Sequence, residues 1–131
     1  MNRKRVLDSY ALLAYLKKED KYEKVKGLLS SNDVLVLINE INVGETLYIL
    51  ARERGMEKGE YFINTILPTL PIVHRENSFQ DVLGAARIKA GHSLSFADCF
   101  AIYTAIKEDA TLVTGDPELK KAEKIVRIDW L

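Results

Sequence analysis

The chain has 131 residues, with 19 basic residues against 19 acidic ones and no net charge. The length suits one domain with a core of its own, read here as residues 1–131. The charge balance removes the globally basic signature of a non-specific nucleic-acid binder, and the lone Cys99 excludes an intrachain disulfide framework and any CxxC metal or redox motif.

In chain order, residues 4–8 read as a first strand that runs directly into an apolar helix over 10–17. Residues 20–30 form a more polar amphipathic helix, with Tyr22, Val25, Leu28 and Leu29 on one face. Residues 33–38 are almost continuously apolar and rich in β-branched side chains, the pattern of a strand covered on both faces. A helix follows over 42–54, ended by Gly55, and another over 57–67. A short strand is expected at 71–74, and helices at 77–90 and 95–107. A strand at 111–114, a short helix at 117–121 and a last strand at 125–128 complete the series. Five short strands alternating with helices predict an α/β fold with a central, largely parallel five-stranded sheet flanked by helices.

Two absences narrow the function. No apolar run approaches the roughly 18 residues of a membrane span. Asn2-Arg3-Lys4-Arg5 before an apolar stretch imitates a signal peptide, but Asp8 interrupts that stretch and Lys17-Lys18-Glu19-Asp20 ends it without a cleavage site. The expected location is cytoplasmic, with no membrane partner. His74 and His92 lie too far apart in sequence to suggest a Cys/His zinc site.

Most charges occur in clusters that read as solvated faces. Four acids stand apart. Asp8 is the only charge in residues 6–16, Glu45 in 41–51, Asp98 in 90–106 and Asp116 in 110–117. A carboxylate in apolar surroundings is unfavourable unless something compensates it. Each has a local explanation as a helix cap. Asp8 with Ser9 opens a helix, and Asp116 precedes Pro117. Glu45 follows Asn42 by three, and Asp98 follows Ser95 by three, the spacing of a capping box. Caps do not explain the set. Asp8 and Asp116 follow strands, Glu45 follows one after a turn, and Asp98 opens a helix that is apolar nearly all round. In an open parallel sheet such positions converge in the crevice beyond the strand C-termini. Four carboxylates there would repel one another. A hard divalent ion, Mg²⁺ or Mn²⁺, would relieve the conflict and leave room for a phosphate group. Metal-assisted phosphodiester cleavage is the chemistry this pattern suggests.

The same residues carry a resemblance. Val6-Leu7-Asp8-Ser9-Tyr10-Ala11-Leu12-Leu13 resembles the opening of PIN domains. Asn42-Val43-Gly44-Glu45-Thr46-Leu47-Tyr48 looks like their second acidic position, Leu94-Ser95-Phe96-Ala97-Asp98-Cys99-Phe100-Ala101 like the third, and Ala110-Thr111-Leu112-Val113-Thr114-Gly115-Asp116-Pro117 like the fourth. The most similar subgroup is the VapC-type toxins of toxin–antitoxin pairs. The resemblance implies a Mg²⁺- or Mn²⁺-dependent endoribonuclease acting on RNA, often a homodimer and restrained by a small antitoxin protein. It implies that Asp8, Glu45, Asp98 and Asp116 hold the metal, that Thr114 supplies a nearby hydroxyl and that Ser9 supports. Glu40 competes with Glu45 for the second position, and Glu45 is preferred for its downstream Leu-Tyr context.

Other functions stay open: a housekeeping RNA-processing PIN nuclease, or a PIN-like protein-binding scaffold. A receiver or phosphatase domain ranks low, since no lysine directly follows an apolar strand at the position such domains require. Arg87, Lys89, Lys120 and Lys121 are candidates to line an RNA groove, though each also reads as a solvated surface charge. His92 is expected in an exposed loop, His74 at a strand end, Cys99 buried and inert, and Trp130 packed on the last strand or at a contact between copies.

Overall fold

The computed structural model describes residues 3–131, so Asn2 of the basic N-terminal cluster lies outside the described residues. Five strands, β1 (Lys4–Leu7), β2 (Leu35–Asn39), β3 (Val73–Arg75), β4 (Thr111–Thr114) and β5 (Ile128–Trp130), form one sheet in the order β3-β2-β1-β4-β5. Every pairing is parallel, with Val6 opposite Leu37 on one side and Leu112 on the other. Parallel neighbours need crossover connections, and the helices α1 (Ser9–Leu16), α2 (Tyr22–Ser30), α3 (Glu40–Arg54), α4 (Met56–Tyr61), α5 (Phe79–Gly91) and α6 (Phe96–Lys107) supply them.

Alternation along the central strands divides the interior in two. Val6, Leu37 and Leu112 point to the face covered by α5 and α6, where Cys99, Phe100 and Ile102 meet them. Leu7, Val36, Ile38 and Val113 point to the other face, against Leu12, Val25 and Phe62. That is why β1, β2 and β4 read as near-continuous apolar runs. The helices α5 and α6 approach closely at Gly84: a Cβ there would come within 2.2 Å of the Tyr103 ring. Lys107 fastens the same pair through a 2.8 Å ion pair to Asp81.

Several element bounds differ from the sequence expectation, each for a physical reason. The helix expected from residue 42 begins at Glu40, because Asn39 caps it by accepting from the Asn42 N–H at 2.9 Å. The helix expected over 57–67 is α4 followed by a π-helical turn, Phe62–Ile66, and a 3-10 turn, Leu67–Thr69. Phe62 is fully buried in the second core. The third strand is Val73–Arg75 rather than 71–74. The last strand is Ile128–Trp130 rather than 125–128. Asp129 argues against a strand by residue type, but Arg5 at 3.5 Å and Lys24 at 2.7 Å pair with it on the sheet edge. Trp130 therefore lies within the strand, packed against the first core, with its indole N–H on Glu123. Cys99 is buried, His74 is exposed in β3, and His92 caps the end of α5. Among the described residues no helix is long and apolar enough to cross a membrane.

Candidate active site

The strand order reverses between β1 and β4, the two strands that begin connections to opposite sides of the sheet. A crevice opens beyond their C-terminal ends, as open α/β sheets require at such a point. A cleft of about 430 Å³ occupies it, and Asp8, Glu45, Asp98 and Asp116 all line it. Four segments separated by up to 108 positions in sequence (8 to 116) thus bring their isolated acids to one place.

Each acid has a distinct local support. Asp8 leaves β1 and caps α1, accepting from the Ala11 N–H at 2.8 Å. Its carboxyl is buried, and it also takes a hydrogen bond from the Thr114 hydroxyl. Burial pushes its pKa up to about 7. The Thr114 and Ala11 hydrogen bonds oppose that rise, and the charges of Asp98 and Asp116 add to it. Asp116 follows β4 and caps the 3-10 helix Pro117–Ala122 by accepting from the Glu118 N–H at 2.9 Å. Its own N–H donates to Thr114 Oγ1 at 3.1 Å. Thr114 is fully buried and does not line the cleft, and its single hydroxyl joins Asp8 to Asp116 from behind.

Asp98 sits in the first turn of α6, where Ser95 Oγ accepts from its backbone N–H at 3.1 Å. Ser95 also hydrogen-bonds the Asp98 carboxylate, which lines the cleft. Burial raises its pKa to about 6, against the Ser95 hydrogen bond, with Asp116, Glu45 and Glu118 adding repulsion. Glu45 stands a turn and a half into α3, and Asn42 does not cap with it. The Ser9 hydroxyl donates to Glu45 Oε1 at 2.5 Å, and Asn42 Nδ2 approaches the same oxygen at 3.4 Å. Glu40 is exposed in the first turn of α3 and is not part of the cleft lining.

Sequence reasoning missed two features. Glu118 lines the cleft and presses on Asp98. In sequence it belongs to Pro-Glu-Leu-Lys-Lys, which reads as a solvated turn. Behind Glu45, Asn39 and Asn42 are buried and tied together at 2.7 Å. Asn39 also donates to Thr104 Oγ1, and Asn42 to the Ala97 carbonyl, so α3 is latched to α6 beside Asp98. Their three-residue spacing was the available signal. The candidate basic groups do not enter the cleft. Lys89 donates to the Leu94 carbonyl, Lys121 to the Ser93 carbonyl and Glu118, while Arg87 and Lys120 are exposed elsewhere.

The donor set suits a hard divalent ion. It is all oxygen, and two of its carboxyl groups have raised pKa values, chiefly through burial and further through the repulsion of the neighbouring acids. Among the described residues no group of three or more His, Cys, Asp or Glu side chains stands in ready-made metal-holding geometry. Asp8 and Asp116 each give one carboxylate oxygen to a backbone N–H, and Glu45 gives one to Ser9.

Comparison with known families adds a match over nearly the whole fold: the PIN domain model covers residues 5–125. The chain belongs to the PIN domain family. Comparison with curated proteins gives no match. Among solved structures, this PIN domain is similar to the Mycobacterium tuberculosis toxin VapC20, described as cleaving the sarcin–ricin loop. The TM-score is 0.75 at 17% identity, over 90% of this chain and 94% of that one. It is also similar to a chain of VapBC2 from Rickettsia felis bound to a promoter DNA fragment (TM-score 0.73, 20% identity, 98% of each chain). A toxin–antitoxin complex from Klebsiella pneumoniae gives a TM-score of 0.65 at 13% identity over 92% of each chain. At these identities the likeness is one of fold.

Proposed function

We propose that this PIN domain is a Mg²⁺- or Mn²⁺-dependent endoribonuclease, the toxin of a VapC-type pair, restrained by a small antitoxin and acting as a homodimer. The observation that carries the reading is the convergence of Asp8, Glu45, Asp98 and Asp116 on one cleft at the β1/β4 switch point. The toxins among its fold neighbours support the biological setting.

Asp8, Glu45, Asp98 and Asp116 would hold the ion, which when bound supplies Lewis acidity and lowers the pKa of water. Asp98 is partly exposed to the cleft, at the start of α6. There it would orient the attacking water, which gives its proton to solvent as the new P–O bond forms, while the leaving oxygen takes a proton from solvent as its bond to phosphorus breaks. The Thr114 hydroxyl fixes the direction of Asp8, and the Ser9 hydroxyl fixes that of Glu45.

The test is cleavage of a structured RNA panel by protein freed of any inhibitor, with Mg²⁺ or Mn²⁺ and with EDTA. Asp98→Asn keeps the backbone N–H that donates to Ser95 Oγ and an amide oxygen that can still accept from the Ser95 hydroxyl, so the α6 cap is retained. The expected result is a folded variant whose turnover falls about 100-fold or more, the scale of losing one preorganised charge at a reacting centre, and a wild type silenced by EDTA. Near wild-type cleavage by the variant would remove Asp98 from the ligand set. A folded wild type inert on every RNA would favour the scaffold function.

A further inference from the structure

Tyr10 is the second residue of α1, two positions beyond Asp8. The rest of that helix turns inward: Ala11, Leu12, Leu13 and Ala14 are buried. Tyr10 keeps 45% of its surface exposed and is the one aromatic among the described residues lining the acidic cleft. Its ring is nevertheless seated. A Cβ on Gly115 would meet Tyr10 Cε1 at 2.3 Å and Cδ1 at 3.0 Å. The ring therefore rests on the backbone of Gly115, between the site residues Thr114 and Asp116, in space that only a glycine leaves open.

The charge of the cleft makes that ring consequential. Among the described residues lining it there is neither lysine nor arginine. Lys121 and Lys89, both exposed, stand beside one wall and donate to the carbonyls of two lining residues, Ser93 and Leu94. Apart from those two ammonium groups on one side, a phosphodiester chain entering this cleft meets acids, so a contact that holds a base beside Asp8 and Asp116 has to be uncharged. A fixed aromatic face offers the strongest such contact to a nucleic acid, because every base has a π-face, and stacking on it is worth about 1–3 kcal/mol per base.

We propose that Tyr10, seated on Gly115, is a stacking platform for the nucleobase adjoining the scissile phosphate. This rests on the ribonuclease reading above and adds to it a substrate-binding residue. The base must be unpaired at that point to lie on the ring, and Tyr10 acts on binding rather than on the chemical step.

Two measurements test it. In steady-state cleavage, Tyr10→Leu should raise KM roughly 5- to 150-fold, the stacking range converted to a ratio, with little change in kcat. Tyr10→Phe, which keeps the ring, should restore a low KM. Gly115→Ala should raise KM as well, since its Cβ takes the seat of the ring. The second measurement needs no cleavage. Short oligoribonucleotides carrying 2-aminopurine at each position in turn are bound with Ca²⁺ in place of Mg²⁺. Wild type and Tyr10→Phe should quench the fluorescence at one position, and Tyr10→Leu should not. A Tyr10→Leu variant with wild-type KM, or with lowered kcat alone, overturns the proposal. So does a wild type that quenches at no position. If wild type cleaves no RNA, the nuclease reading fails, while the quenching result still decides whether Tyr10 stacks a base.

Discussion

Asp8 shows what a single carboxyl does to this molecule. Its folded pKa of about 7 lies above the ordinary value of 3.8, chiefly through burial. In the metal-free protein it therefore favours the folded state fully below about pH 4, and that contribution is lost as pH rises through 7. The difference between the two limits is on the order of 4 kcal/mol for a shift of this size. Asp8→Asn keeps an oxygen for the Ala11 N–H and removes the charge. In EDTA it should be the more stable protein at pH 8, by a few kcal/mol, with the gap closing toward pH 5. Urea unfolding of both proteins at the two pH values checks this. A variant less stable than wild type at pH 8 would mean that the ionised carboxylate is already well compensated. Asp8, Asp98 and Asp116 were readable in the sequence because a lone charge among apolar residues is conspicuous. Glu118 was not, since flanking lysines and Pro117 give an acid there an ordinary surface setting.

At the level of elements, the start of α3 depends on two buried amides. Asn39 caps the helix and donates to Thr104 and Asn42. Asn39→Ala removes the cap, worth about 1 kcal/mol, and leaves buried partners unsatisfied at about 1–3 kcal/mol. The expected loss is about 2–4 kcal/mol by urea denaturation, with an unchanged slope if the fold is kept. A loss below that range would show that solvent reaches Thr104 and Asn42. The sequence places this helix start two residues late, because asparagine after an apolar run reads as the end of a strand and its burial has no local signature. The strands β1 and β4 come through almost to the residue, since both faces of each are covered and polarity changes sharply at their ends. The strand β5 comes through displaced by three, because Asp129 reads as a terminator unless Arg5 and Lys24, more than a hundred positions away, are known to meet it.

For the whole molecule, the site belongs to the assembled sheet and to nothing smaller. Helices α1, α3 and α6 reach the cleft from both sides of the sheet, and the acids repel one another across it. An ion that binds only this assembly should stabilise it by mass action. At about a hundred times its Kd, Mg²⁺ or Mn²⁺ should add about 3 kcal/mol and raise Tm by several degrees. Asp98→Asn should blunt the rise, which thermal scans with and without metal would show. An unchanged Tm in millimolar Mn²⁺, with no heat of binding, would count against the ligand set.

The pairing of β1 with β4 joins Arg5 to Thr111, across more than a hundred residues, while the β1–β2 pairing joins Lys4 to Leu35. A chain emerging from the ribosome can form the second contact early and the first only late. Asp8, Glu45 and Asp98 wait in unfinished structure until the segment bearing Thr114 and Asp116 arrives. In the nuclease proposed above, the last of the four acids in the chain is also the one that completes the site, so cleavage would have to wait until nearly the whole chain is made.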